Sequence, residues 1–370
     1  MSKTLLPAAG HDNASNARLI FLMTTTNITL LVPDLFKGIA RDSNQLPRFE
    51  ALETLLARSD RIKTTTDSFY ACVLQQFHID AELNCFPSAA VSRYAESGCK
   101  DERVWMHVDP VFMQADKDRL ILRGSHMLEL DKSTADLLLQ ELNKLYAEDD
   151  YLFECYHPHQ WYLRLPHAPL SRFQALSNVL GRSVEPFMPE GEDQTHWRRF
   201  MNEVQMLLHA ADVNQQRLEQ QQYPVNSIWC WGAGEIPGSL QSPWDEVYTD
   251  DVLVKGLSLL SDTQVHQLPE SATELLQHWP SNRNSNKSQV LVVHTQNEAD
   301  LLNLDMNYTI EKLQRMEQYW FKPLLQALKN KDISSISLLA CDGMQYRLDK
   351  KQLRRFWRPR KRISLDQTVT

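Results

Sequence analysis

Asn27-Ile28-Thr29-Leu30-Leu31-Val32, closed by Pro33-Asp34, is the stretch on which the fold turns. A short apolar run without alternation is what a strand covered on both faces looks like, and Pro-Asp ends it in a loop. Leu46-Pro47 then opens a segment carrying Phe49, Leu52, Leu55 and Leu56 at helical spacing. Strand, loop and amphipathic helix make one βα unit, the building block of a parallel sheet with helices on its faces. The pattern resumes late in the chain. Val225 to Trp231 reads as a strand running into Gly232-Ala233-Gly234, Val290 to His294 as another, and Ile333 to Ala340 as a last one ending at Asp342-Gly343. Between the last two, the helix expected from Ile310 to Leu328 should bend or break near Pro323. Four strands would then end at Asp34, Gly232, His294 and Asp342. In a doubly wound sheet such carboxyl ends line one crevice, where ligands bind.

The middle of the chain has a different character. Val104 to Val108 and Arg119 to Leu122 read as strands around the polar turn Asp116-Lys117-Asp118. Tyr151 to Tyr156 and Gln160 to Leu165 read as two more. A helix starting near Ser133 should bury Leu138, Leu142 and Leu145. After Pro186 and Pro189, Asp193 is placed to cap a helix whose stripe is Trp197, Phe200, Met201, Val204, Leu207, Leu208 and Ala211. The expected organisation is a leader over 1–26, an α/β core from 27–70 and 221–362, an inserted α+β cap over 71–220, and a tail over 363–370.

Composition sets the outer limits. The 370 residues are 42% hydrophobic and 23% charged, ordinary for a globular protein, and the net charge of −8 argues against a protein that binds nucleic acid over its whole surface. The six cysteines are scattered without a CxxC pair, as expected of reduced thiols in a cytoplasm. No apolar run reaches the roughly 18 residues of a membrane span.

Several stretches together carry a family resemblance: Leu30 to Asp34, Asn202-Glu203-Val204-Gln205-Met206-Leu207-Leu208-His209, Asn226 to Gly234, and Arg355-Phe356-Trp357-Arg358. On these the chain resembles the 2,3-bisphosphoglycerate-independent phosphoglycerate mutases of the alkaline phosphatase superfamily, and within them an RpfE-type bacterial regulatory branch. The resemblance implies an alkaline-phosphatase-like (phosphomutase) doubly wound core with an inserted cap. It also implies two divalent metals held by Asp and His beside a Ser or Thr nucleophile, since metals activate the hydroxyl and offset charge on the phosphoryl group. Asp34 sits where the first metal aspartate would be. The family's Asp-Glu-Ala-Gly-His segment matches Asn297-Glu298-Ala299-Asp300-Leu301, and its later Asp-His pair matches Asp342-Gly343. An amide, a leucine and a glycine thus stand where a carboxylate and two imidazoles would be, leaving Asp34, Asp300 and Asp342 as remnant candidates.

Each further motif has two readings. Asp34 is a remnant ligand or a loop carboxylate, and Asp342 a ligand or part of a tight turn. His157-x-His159 could grip a metal or form a surface turn. Gly232 and Gly234 could cradle phosphate through backbone amides or mark the tight exit of a packed strand. Thr64, Thr65, Thr66 and Ser68 lie where a nucleophile would be sought, or form a loop. His209 caps a helix or lies on the surface. From Arg347 to Arg362 nine basic residues face the single acid Asp349, with Phe356 and Trp357 among them; this suits phosphates or single-stranded nucleic acid, or simply a solvated tail.

The leading expectation is a regulatory or phosphometabolite-binding relative of the mutases, without a resident cofactor and with a regulatory protein as a further partner. Its ligand crevice would be formed by Asp34, Asn226, Gly232, Gly234, Asp342, Arg355 and Arg358. The alternatives are an active manganese-type mutase or phosphohydrolase, and a nucleic-acid binder acting through the basic segment.

Overall fold

A computed structural model describes residues 25–37, 39, 46–66, 68–278, 287–296, 302 and 306–363. The run that opens at Thr25 is the central strand β1 (Thr25–Leu31) of a seven-stranded sheet. Its neighbours are β12 (Lys287–Val293) and β13 (Ser335–Leu339), both parallel to it. Outward from β12 lie β10 (Glu246–Thr249) and β11 (Gln264–His266), also parallel. Beyond β13, the antiparallel β14 (Met344–Asp349) and the edge strand β2 (Asp60–Lys63) complete the order 11-10-12-1-13-14-2. Ile28, Leu30, Val290, Val292, Ile336 and Leu338 turn to one face, Leu31, Leu291, Val293 and Leu339 to the other, and both sets are buried. This explains why the strands read as unbroken apolar runs.

The helix Glu50–Arg58 buries Leu52, Leu55 and Leu56 as its spacing predicts. Its first turn is capped from far away: Glu317 accepts from the Ala51 and Leu52 amides at 2.8 and 3.0 Å. Glu317 belongs to the interruption expected near Pro323. Helix Met306–Met316 passes through a π-helical turn, Glu317–Phe321, before resuming over Lys322–Asn330. Proline cannot donate to the preceding turn, and the wider turn just upstream is where the ladder adjusts.

A second sheet stands over the first. It contains β3 (Val104–Asp116), β4 (Arg119–Arg123), β5 (Leu152–His157) and β6 (Gln160–Leu165) in the order 4-3-6-5. A small hairpin-like pair, β7 (Ser171–Arg172) and β8 (Glu190–Gly191), lies beside it. The ninth strand corrects the sequence reading. β9 (Ser227–Gly234), expected in the core, pairs antiparallel with β3 in this second sheet. A strand buried on both faces has the same apolar signature whether its partners are parallel or antiparallel, so periodicity cannot assign the sheet. At the other end of this region, helices Phe69–Gln76 and Ser88–Ser97, read as part of the insertion, share a hydrophobic cluster with Leu31, Val247, Val293 and Leu339 of the core sheet.

The helix Lys132–Leu145 is capped by Asp131, whose Oδ1 accepts from the Thr134 amide at 2.7 Å. It buries Leu138 and Leu142, but Leu145, expected on the same buried face, is 50% exposed. The helix Gln194–Ala210 buries Trp197, Phe200, Met201, Val204 and Leu208 against the second sheet. Asp193 precedes it, yet its carboxylate bonds the Leu170 amide, Ser171 and Trp197 Nε1 instead of a first-turn amide. Among the described residues no helix is long and apolar enough to cross a membrane.

Candidate functional site

Thr249, Val293, Leu31 and Leu339 form one row across four adjacent parallel strands, each paired in register with its neighbour. The residues just after this row therefore emerge along one edge: Asp250 and Asp251, His294 to Gln296, Val32 to Asp34, and Ala340 to Asp342. The second sheet closes over this edge and leaves a cavity of about 920 Å³. Pro33, Asp251 and His294 form part of its floor, Asp109, His159 and Trp231 part of its roof, and Lys312 and Arg315 one wall.

His294 is the centre of the floor. Its amide donates to Leu31 O at 3.0 Å, continuing the ladder, and its ring meets Trp320 edge-on at 4.8 Å. Burial, and then the nearby Lys312 ammonium, lower its pKa to about 4, so the ring is neutral near pH 7. Its Nε2 and the adjacent Thr295 Oγ1 are enclosed polar atoms without a hydrogen-bond partner among the described residues. Such atoms cost free energy unless something else satisfies them. Lys312 Nζ donates to Pro33 O at 3.0 Å, which holds the helix Met306–Met316 against the loop after β1. Arg315, one turn further on, lies exposed at the rim of the cavity.

Carboxylates line the floor and the roof as well. Asp251 caps the helix Val252–Leu260, its Oδ1 accepting from the Val254 amide at 3.0 Å. Burial raises its pKa to about 6 despite that bond. Asp109 takes hydrogen bonds from Trp231 Nε1 at 2.7 Å and the Trp161 amide at 3.3 Å. Sequence reading missed Asp250 and Asp251, although a strand of the type Glu246-Val247-Tyr248-Thr249 followed by Asp-Asp and an apolar helix is itself a βα signal.

Asp34 and Asp342 reach the same sheet edge as expected, but to one side of this cavity. Asp34 Oδ2 accepts from Gln296 Nε2 at 2.6 Å, with Lys37 Nζ at 3.9 Å. Asp342 accepts from the Met344 amide and the Tyr346 hydroxyl, both at 3.1 Å, and burial raises its pKa. These bonds, with Gly343 at φ 79°, make the tight turn between β13 and β14. Cys341 fills the space near both carboxylates. A hydrogen bond to Cys72, burial and the two nearby negative charges push its thiol upward. Thr66 Oγ1 lies 3.2 Å from Cys72 Sγ and 3.2 Å from Gln75 Oε1. His157, at the end of β5, and His159, in the turn that follows, do line the cavity.

The other expected crevice residues lie elsewhere. Asn226 is spent within the second sheet, accepting from the Met113 amide at 2.7 Å and donating to Met113 O at 2.9 Å. Gly232 and Gly234 follow β9 into that sheet and serve packing. A Cβ on Gly232, at φ 63°, would run into Ser88 Oγ, and one on Gly234 would come 2.7 Å from Pro87 Cβ. Gly232→Ala should therefore cost about 1–3 kcal/mol of stability, through overpacking and a left-handed backbone; a urea midpoint equal to that of the wild type would refute this. Arg355 and Arg358 are at the far edge. Arg355 Nη1 donates to Asp60 Oδ1 at 2.5 Å and to Arg58 O at 3.1 Å, and Arg358 Nη1 to Ser59 O at 3.1 Å. Asp60 begins β2 and is level, through Arg347 of β14, with Ser337 midway along β13, so β14 has carried the chain back from the site toward the other end of the sheet. Asn297, Asp300 and Leu301 lie outside the described residues.

Among the described residues, no group of three His, Cys, Asp or Glu is placed to hold a metal ion.

No family model matches the chain. Short stretches are similar to curated sequences: 30% identity over 71 residues to the 2,3-bisphosphoglycerate-independent phosphoglycerate mutase of Methanosarcina barkeri (strain Fusaro / DSM 804), covering 19% of this chain and 17% of that protein. A probable enzyme of the same name from Geobacter sulfurreducens is 35% identical over 60 residues, 16% of this chain and 15% of its own length. The chain thus matches only about one sixth of the length of these relatives. Among solved structures, the PH0037 protein from Pyrococcus horikoshii aligns over 88% of this chain and 87% of its own, with a TM-score of 0.53 and 11% identity. The chain thus shares the fold of the PH0037 protein, and short stretches of it are similar to 2,3-bisphosphoglycerate-independent phosphoglycerate mutases.

Proposed function

We propose that this chain is a phosphoglycerate-mutase-like regulatory protein, of the RpfE type in bacteria, that binds a phosphorylated small acid in the cytoplasm and does not turn it over by two-metal chemistry. The observation that carries this reading is the division of labour at the sheet edge. The carboxylates of Asp34 and Asp342 are engaged in hydrogen bonds beside Cys341, whereas the cavity next to them presents Lys312, Arg315 and the enclosed polar atoms of His294 and Thr295. Cations and neutral donors receive a phosphate or carboxylate without a metal. The hydroxyls of the same ligand would face Asp250 and Asp251, which can accept from them. The replacement of the family's metal-ligand positions by Asn297, Leu301 and Gly343 supports the loss of turnover. The cavity would be the sensor, and a partner protein would read its occupancy.

The names of the sequence relatives favour an active phosphoglycerate mutase as the second reading, with manganese the metal to test, and one experiment separates the two. Purified protein is loaded with Mn²⁺, its metal content measured, and turnover followed with 3-phosphoglycerate. In parallel, its melting temperature is recorded against increasing 3-phosphoglycerate. We expect no turnover and no stoichiometric metal pair. We also expect an upward shift of several degrees, since about 100-fold excess over Kd adds about 2.7 kcal/mol. Arg315→Ala should abolish most of that shift. Two bound metals with turnover would establish the enzyme instead, and no shift with any phosphorylated three-carbon acid would refute the binding reading.

A further inference from the structure

The basic segment that failed to reach the crevice has a surface of its own. After β14 the chain makes the short helical turn Gln352–Arg354 and then a tight turn that lifts Phe356 and Trp357 into solvent, 81% and 65% exposed. Their rings touch only edge-on, with centroids 5.3 Å apart at 82°. Two neighbouring large aromatic side chains left in water need a reason, because single exposed apolar residues are common but a paired aromatic tip is a contact surface. The tip is not loose. Arg355 bridges Asp60 and the Arg58 carbonyl, Arg358 holds the Ser59 carbonyl, and Arg360 pairs with Glu50 at 3.1 Å. Arg355 also holds the Asp60 carboxyl below its ordinary range.

Cations crowd the same edge. Lys350 Nζ bonds the Lys329 carbonyl, and its ammonium is pushed below the usual lysine value first by desolvation and then by Lys331 and Arg354. From Arg347 to Arg362 nine basic residues face the single acid Asp349, in a chain whose net charge is −8. The rest of the chain holds 30 basic and 46 acidic residues, so this stretch carries the opposite sign of charge from the remainder. A basic stretch with exposed rings favours a polyanion that also carries flat faces. Fixed ring faces also suit flat bases, which stack, better than fluid lipid chains, which need no fixed face.

We propose that the turn at Phe356–Trp357, flanked by Lys350, Lys351, Arg354, Lys361 and Arg362, is a binding site for single-stranded nucleic acid. The two rings stack bases and the flanking cations contact phosphates. The site is independent of the cavity at the opposite edge of the sheet, so it stands whether or not that cavity binds a phosphorylated acid.

The test uses the full chain and a fluorescein-labelled oligothymidylate, followed by anisotropy over a salt series. The expected result is binding at low salt that weakens steeply as salt rises, by a log–log slope of about 0.7 for each phosphate neutralised. Phe356→Ala with Trp357→Ala should weaken it about ten-fold or more. Because both rings are exposed, this variant should keep the wild-type melting temperature. Lys350→Glu with Lys351→Glu should lower the salt slope. Absence of binding at low salt would overturn the proposal, as would affinity indifferent to the ring substitutions. Retention on phosphatidylserine vesicles without oligonucleotide binding would assign the surface to a membrane and equally overturn it.

Discussion

Replacing Phe200 by alanine should remove about 3–5 kcal/mol of stability, the usual loss for a fully buried phenylalanine. Phe200 is 2% exposed and sits at the meeting point of the helix Gln194–Ala210 with the second sheet. Its ring lies 5.2 Å from Tyr146, 5.5 Å from Trp197, 5.7 Å from Tyr151 and 6.4 Å from Phe153. Those four rings come from three separate parts of the chain, so a collapse that filled the void would have to move all of them together. The cavity term should then stay near its maximum. Urea denaturation with the slope held in common measures the loss; a cost below about 1 kcal/mol would mean that the cluster relaxes freely. The roof of the cavity at the sheet edge rests on this packing, because Trp231 belongs to the same cluster.

Acid should destabilise the protein through His107, and His107→Gln should remove that part of the pH dependence. His107 is 1% exposed, stacks on Trp231 at 4.3 Å and 17°, and has Tyr162 at 5.2 Å on its other side. Burial lowers its pKa to about 3, against a weaker opposing contact with the Ser88 backbone. In the unfolded chain an imidazole titrates near 6.5. The native state therefore keeps this ring neutral where the unfolded state binds a proton. Stability from this group is complete above about pH 6.5, falls as pH drops toward 3, and levels off below that. Each pH unit inside the window is worth at most about 1.4 kcal/mol. His294, lowered to about 4, acts in the same direction. Asp251, raised to about 6, acts in the opposite one, since the folded state binds its proton more tightly and gives up stability as pH rises from about 4 to 6. The wild-type curve is thus a sum, and the difference between wild type and His107→Gln isolates His107. Parallel curves from pH 7 to 4.5 would show that the ring is protonated, or solvated, in the native state.

Much of the architecture was legible because it depends on neighbours in sequence. Residues 27–32 cannot alternate polar and apolar side chains and still be covered on both faces, so the central strand is visible as an apolar run. Trp197, Phe200, Val204 and Leu208 repeat with the turn of a helix because one stripe faces the second sheet. Pro323 announces a broken helix because it lacks an amide hydrogen, and the π-turn Glu317–Phe321 is where the break falls. The convergence of Asp34, His294 and Asp342 was also legible, since parallel strands must end together on one side.

Tertiary structure decided which strand joins which sheet, and hence the composition of the site. Nothing local to Ser227–Gly234 says that its partner is β3; the pairing spans more than a hundred residues and is selected by the burial of Trp229 and Trp231 on the second sheet. That choice took Asn226, Gly232 and Gly234 out of the crevice and left the place beside β12 to β10, which brought in Asp250 and Asp251. The reversal of β14 did the same to the arginines. One antiparallel strand returns the chain along the sheet, so Arg355 and Arg358 reach the amino edge although they follow Asp342 by only a short stretch of sequence. Apolar patterning encodes how deeply a residue is buried, which is a local property. The partner and direction of a strand come from backbone hydrogen bonds that are the same for every residue type, so only the packing of the whole chain selects them.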